Sequence, residues 1–166
     1  IAYILNIWTI FLLYIFLNIA YSLKLKHIPI IDVFIIATGF VIRLLIGASV
    51  SNVELSMWIV IMTFLLALFL AFSKRKGDLV NLKGQSQARP VLKEYNQEFL
   101  SICMAIMGSV VIVSYIMYTT SANVITYTNS NYVYTTSIFV VFGILRYLKI
   151  TFLDQTTGSP IKVLIH

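Results

Sequence analysis

A chain of 166 residues that is 60% hydrophobic and 11% charged has too little polar surface for a water-soluble domain. Its net charge of +6 does not make it a nucleic-acid binder, because the cations stand beside apolar runs, where anionic headgroups or a phosphorylated substrate suit them better. The single Cys103 excludes an intrachain disulfide and reads as a small packing residue, and His27 and His166 have no zinc-site spacing.

In chain order, apolar stretches occupy residues 1–23, 29–50, 55–73, 98–118 and 133–149. Each is about long enough to cross a hydrocarbon core of ~30 Å at ~1.5 Å per helical residue. The runs are continuous rather than alternating, so helices are expected and a barrel is not. The fold class is therefore all-α, a polytopic transmembrane helix bundle forming one domain over residues 1–166.

The connections after the first, third and fifth stretches carry Lys24, Lys26, Lys74, Arg75, Lys76, Lys83, Arg89, Lys93, Arg146, Lys149 and Lys162. Those around 51–54 and 119–132 carry no Lys or Arg. The positive-inside rule then predicts a multi-pass protein of the cytoplasmic membrane with its basic loops facing the cytoplasm. The chain opens in mid-hydrophobic run without Met, which reads as a piece of a longer protein.

The remaining cation, Arg43, lies inside the second stretch, where a charge marks a functional position. Residues seven or eleven apart on a helix fall within about 20° of each other, so Asp32, Gly39 and Arg43 share one stripe. Arg43 is either a buried structural cation or a planar fork for phosphate oxygens. The third stretch ends in Phe72, Ser73, Lys74, Arg75, Lys76, Gly77 and Asp78, with Lys74 and Asp78 spaced for an i,i+4 pair. This basic group is either a membrane-interface anchor favoured by the helix dipole or the opening of an anion site.

Residues 74–98 form the longest polar segment and are expected to be a cytoplasmic functional loop running into a helix start near Asn96. The outer connection, 119–132, is rich in Thr, Ser, Asn and Tyr and reads as a passive exposed loop.

Taken together, YSLKLKHIPIID at 21–32, GFVIR at 39–43, LFLAFSKRKGD at 68–78, RPVLKEY at 89–95, GILRY at 143–147 and GSP at 158–160 resemble the UbiA prenyltransferase superfamily. The pattern is most similar to its decaprenyl-phosphate phosphoribosyltransferase branch. The resemblance implies a bundle of about nine helices, of which about five spans are present here, around a cavity open to lipid. In that branch a polyprenyl phosphate attacks the ribose of phosphoribosyl pyrophosphate, and pyrophosphate leaves. The superfamily's first acidic motif, which with Mg²⁺ holds a diphosphate, has no counterpart here, so the chain reads as the C-terminal portion. At the second motif, cations replace the carboxylates of the prenyl-transferring members, which favours phosphoribosyl transfer.

The roles implied by this resemblance place Asp32, Arg43, Lys74 and Asp78 at the reaction centre. Arg43, Lys74 and Arg75 would neutralise phosphate, and Asp32 and Asp78 would orient cations or ribose hydroxyls. Asp78 is the one metal-ligand candidate for Mg²⁺. Tyr21, Lys24, Lys26, Lys83 and Arg89 complete the phosphate-binding set. Two other readings stay open: a prenyltransferase acting on an aromatic or quinone-precursor acceptor, and a non-enzymatic transport or scaffold protein. The sequence leaves the oligomeric state open.

Overall fold

The structure, a computed structural model, describes residues 2–51, 53–81, 92, 94–130 and 132–153. The elements are α1 (Ala2–Leu23), a 3₁₀ turn (Leu25–His27), α2 (Ile31–Ser51), α3 (Met57–Asn81), α4 (Gln97–Thr119), α5 (Ala122–Thr128), a second 3₁₀ turn (Val133–Thr136) and α6 (Ser137–Leu153). Among the described residues no strand occurs. Among them, four helical stretches are long and apolar enough to cross a membrane: Ile31–Ser51, Met57–Val80, Gln97–Thr119 and Val133–Phe152. The first expected span is the helix α1, whose described apolar part, Trp8–Leu23, is shorter.

Side-chain placement fits a bundle surrounded by hydrocarbon. Trp8, Phe16, Phe139 and Phe142 lie on the outside, at 60%, 66%, 77% and 64% exposure, whereas water would drive such rings inward. The interior is a seam between α3 and α4, joined by α2 on one side and α6 on the other. On α4 the buried positions Leu100, Met104, Gly108, Val111 and Ser114 recur every three or four residues, the helical period for one face. Of these, Leu100, Met104 and Val111 join Leu68, Phe69 and Phe72 of α3 and Ile144 and Tyr147 of α6 in one core. Gly108 permits the close approach: a Cβ there would stand 3.1 Å from Ile144 Cγ2 and 3.4 Å from Phe69 Cε2. Cys103 is half-buried at the edge of this core, as a small packing residue would be.

Three expectations change. Helix α3 does not end at residue 73; it continues through the basic group to Asn81, so the polar connection starts later than 74. Lys and Arg are good helix formers, and ion pairs described below compensate Arg75, one of the two cations that this extension buries. Arg146 and Lys149 likewise belong to α6 rather than to a connection after it. The connection at 119–132, expected as an exposed loop, contains the short helix α5, which closes on Asn129 in the left-handed conformation at φ 48°. The helix start near Asn96 is as expected: its side chain accepts the Glu98 N–H at 3.2 Å and caps α4.

Candidate functional site: a buried ionic cluster at the basic end of the bundle

The N-terminus of α2 and the C-terminus of α3 meet at one end of the bundle, and the charges singled out from the sequence converge there. Asp32, in the first turn of α2, is fully buried. Its Oδ2 accepts from Arg75 Nε at 2.7 Å, and its Oδ1 accepts from the Tyr95 hydroxyl at 2.7 Å. Arg75, 3% exposed, extends Nη1 to Asp78 Oδ2 at 3.4 Å, and the Asp78 side chain is 32% exposed. The cluster is thus a chain of contacts from a buried carboxylate, through a guanidinium, to a carboxylate that reaches the open side.

The backbone entering α2 completes it. Ile30 has φ 68°, a conformation that β-branched residues rarely adopt, and its N–H donates to the Tyr95 hydroxyl at 2.6 Å. Tyr95 therefore accepts from Ile30 and donates to Asp32. Burial, together with the bond to Asp32, pushes its phenol well above the ordinary tyrosine range, so it stays a neutral donor. A buried carboxylate and guanidinium are tolerable only when hydrogen bonds meet their remaining valences, and Tyr95 meets one of these.

The expected Lys74–Asp78 pair does not form. Asp78 pairs with Arg75 at i,i+3, while Lys74 is exposed and makes no ion pair among the described residues. One residue along a helix is a rotation of about 100°, so only one of these neighbouring cations can face α2. Lys24 and Lys26 are exposed in the connection that enters α2, at the same end of the bundle. Lys83 and Arg89 lie outside the described residues, as does the 158–160 motif.

Arg43 stands apart. It shares a helix stripe with Asp32, but eleven residues carry it about 16 Å along the axis. Its Nε and Nη2 donate to the Tyr14 hydroxyl of α1 at 3.1 and 2.9 Å, and its guanidinium lies over the Tyr14 and Phe40 rings at 5.4 and 5.1 Å. Gly39 lies one turn before it, with Tyr14 4.0 Å from where a Cβ would be. Arg43 and Tyr21 line one small cleft between α1 and α2, of about 100 Å³. The structure thus brings Asp32, Arg75 and Asp78 together and leaves Arg43 in a separate contact with α1.

The sequence gives Tyr95 no role of its own, and Lys76 only a share in the basic group that ends the third stretch. Tyr95 stands within the RPVLKEY segment, but nothing local announces a bond to a residue 63 positions away. Lys76 had a usable signal: with Phe69, Phe72 and Ser73 it falls on a three-to-four residue stripe that is buried throughout.

Mg²⁺, implied by the resemblance, finds no ligand set among the described residues. No three His, Cys, Asp or Glu side chains come together there. The two nearby carboxylates, Asp32 and Asp78, both face a guanidinium, which competes with a metal for their oxygens.

No family model matches the chain. It is 28% identical over 106 residues to the decaprenyl-phosphate phosphoribosyltransferase of Corynebacterium glutamicum, an alignment covering 63% of this chain and 32% of that protein. The protein of the same name from Mycolicibacterium smegmatis is 27% identical over 111 residues, covering 66% of this chain and 35% of that one. The chain is similar to decaprenyl-phosphate phosphoribosyltransferases. A third, from Mycobacterium tuberculosis, is 22% identical over 111 residues, with 66% and 37% coverage. The chain spans about a third of the length of these relatives.

Proposed function

We propose that this chain forms part of an integral membrane transferase that moves 5-phosphoribose from phosphoribosyl pyrophosphate to a polyprenyl phosphate, with its basic end in the cytoplasm. The observation that carries the reading is the buried Asp32–Arg75 pair at 2.7 Å, with Asp78 at its outer edge and Lys24, Lys26 and Lys74 exposed at the same end of the bundle. The names and similarity of the relatives support the choice of reaction.

In that reaction an oxygen of the lipid phosphate bonds to the anomeric carbon. The carbon–oxygen bond to pyrophosphate breaks, and its electron pair leaves with the pyrophosphate. A loose transition state of this kind needs neutralised phosphates and a donor held in line. The exposed lysines are suited to the phosphates as mobile point charges. Asp78, partly exposed, is suited to accept hydrogen bonds from ribose hydroxyls. Arg75, Asp32 and Tyr95 are positioning residues: buried and mutually bonded, they fix the direction of Asp78. Arg43 belongs to the attachment of α1 in this reading.

The test is an assay of the purified full-length protein with polyprenyl phosphate and radiolabelled phosphoribosyl pyrophosphate. The expected result is a labelled lipid product and one equivalent of pyrophosphate. Transfer of an isoprenyl group to an aromatic acceptor, with no labelled lipid from the ribosyl donor, overturns the reading.

A further inference from the structure

Lys76 follows Arg75 by one residue and is therefore turned about 100° around α3, away from the ionic cluster. It is 8% exposed, its Nζ lies 3.6 Å from the centroid of the Phe152 ring, and it makes no ion pair among the described residues. A buried ammonium without a counter-ion is costly, so its surroundings matter.

Those surroundings are a cavity of about 520 Å³ between α3, α4 and α6, lined also by Val80, Gln97, Ser101 and Thr151. Thr151 is 1% exposed, and its Oγ1 has no hydrogen-bond partner among the described residues. The same cavity receives the first turn of α4, the positive end of a 23-residue helix. A cation, an uncommitted hydroxyl and a helix N-terminus, from three different helices, thus converge on one space. Glu98 also lines the cavity, but it is exposed to solvent, which screens its charge. Phe152 and Ile102, at 42% and 59% exposure, form outward apolar walls continuous with the surface that faces hydrocarbon.

We propose that this cavity binds the phosphate of an anionic membrane lipid, with Lys76 supplying the countercharge and the Thr151 hydroxyl donating to a phosphate oxygen. The apolar walls take the start of the acyl region. The site uses none of the Asp32, Arg75, Asp78 and Tyr95 contacts, so it stands or falls independently of the transferase reading.

Native mass spectrometry of the full-length protein in detergent, with phosphatidylglycerol or phosphatidylcholine added, tests this. Phosphatidylglycerol is expected to be retained preferentially. Retention should fall about tenfold in Lys76→Leu, as one charge-assisted contact predicts, and persist in Lys76→Arg. Thr151→Val should retain less lipid while the lipid-free protein melts no lower than wild type, because the hydroxyl it removes has no partner among the described residues. A Lys76-dependent rise in melting temperature with millimolar inorganic phosphate, without retained phosphatidylglycerol, keeps the site and assigns it a soluble phosphate. Equal lipid retention by wild type and Lys76→Leu, with no phosphate-dependent shift, overturns the proposal.

Discussion

The hydroxyl of Tyr95 donates to Asp32 Oδ1 at 2.7 Å across 63 positions of sequence, while Arg75 takes the other oxygen of the same carboxylate. One phenol thereby ties the segment before α4 to the start of α2, and it also accepts the N–H of the left-handed Ile30.

Tyr95→Phe keeps the ring but leaves Asp32 and the Ile30 N–H each short of a partner. The expected loss is about 1–3 kcal/mol of stability, read as a lower melting temperature in detergent. The sign of its pH dependence is fixed by the raised phenol: the contribution is fully present below the ordinary tyrosine pKa of about 10 and is lost as pH rises through the higher folded value. The gap between wild type and Tyr95→Phe should therefore stay constant from about pH 7 to pH 9 and narrow only at stronger alkalinity. A gap that closes within that range contradicts the assignment.

Breaking the Asp32–Arg75 pair from one side should be worse than removing both partners. Asp32→Asn and Arg75→Met each leave an uncompensated buried group and are expected to cost about 3–5 kcal/mol. The double variant should cost clearly less than their sum, since the two residues share one contact. Additive losses in a double-mutant cycle would mean that the pair is not coupled.

Arg43→Leu should loosen α1 without touching the chemistry. It removes both bonds to Tyr14 and the two ring contacts, yet it lies far along α2 from Asp32. The expected outcome is a lower melting temperature with near wild-type kcat/KM for the ribosyl donor in the protein that remains folded. A large fall in kcat/KM at unchanged melting temperature would return Arg43 to the active site.

The helices were legible because a membrane demands long apolar runs, and the runs at 29–50 and 98–118 lie within two residues of α2 and α4. The end of α3 was misplaced because charge was read as the end of a helix, although Arg75 and Lys76 are buried on it. Asp32, Arg75 and Asp78 could be picked out as charges beside apolar stretches. Which of Lys74 and Arg75 faces α2 depends on the rotation of α3 against its neighbour, and residue spacing within one helix does not carry that. The contact of Arg43 with Tyr14 was hidden for the same reason, because it depends on how α1 crosses α2.

The most direct test of the proposed role of the cluster is the kinetics of Asp78→Asn in the full-length protein, measured with its melting temperature on one preparation. Asp78 is partly exposed and held only by a 3.4 Å contact, so the fold should tolerate the change. If Arg75 directs Asp78 at the donor's ribose, kcat/KM for phosphoribosyl pyrophosphate should fall about 10- to 150-fold, as loss of a charged hydrogen bond predicts. An Asp78→Asn protein that melts like wild type and transfers phosphoribose with unchanged kcat/KM would contradict the account.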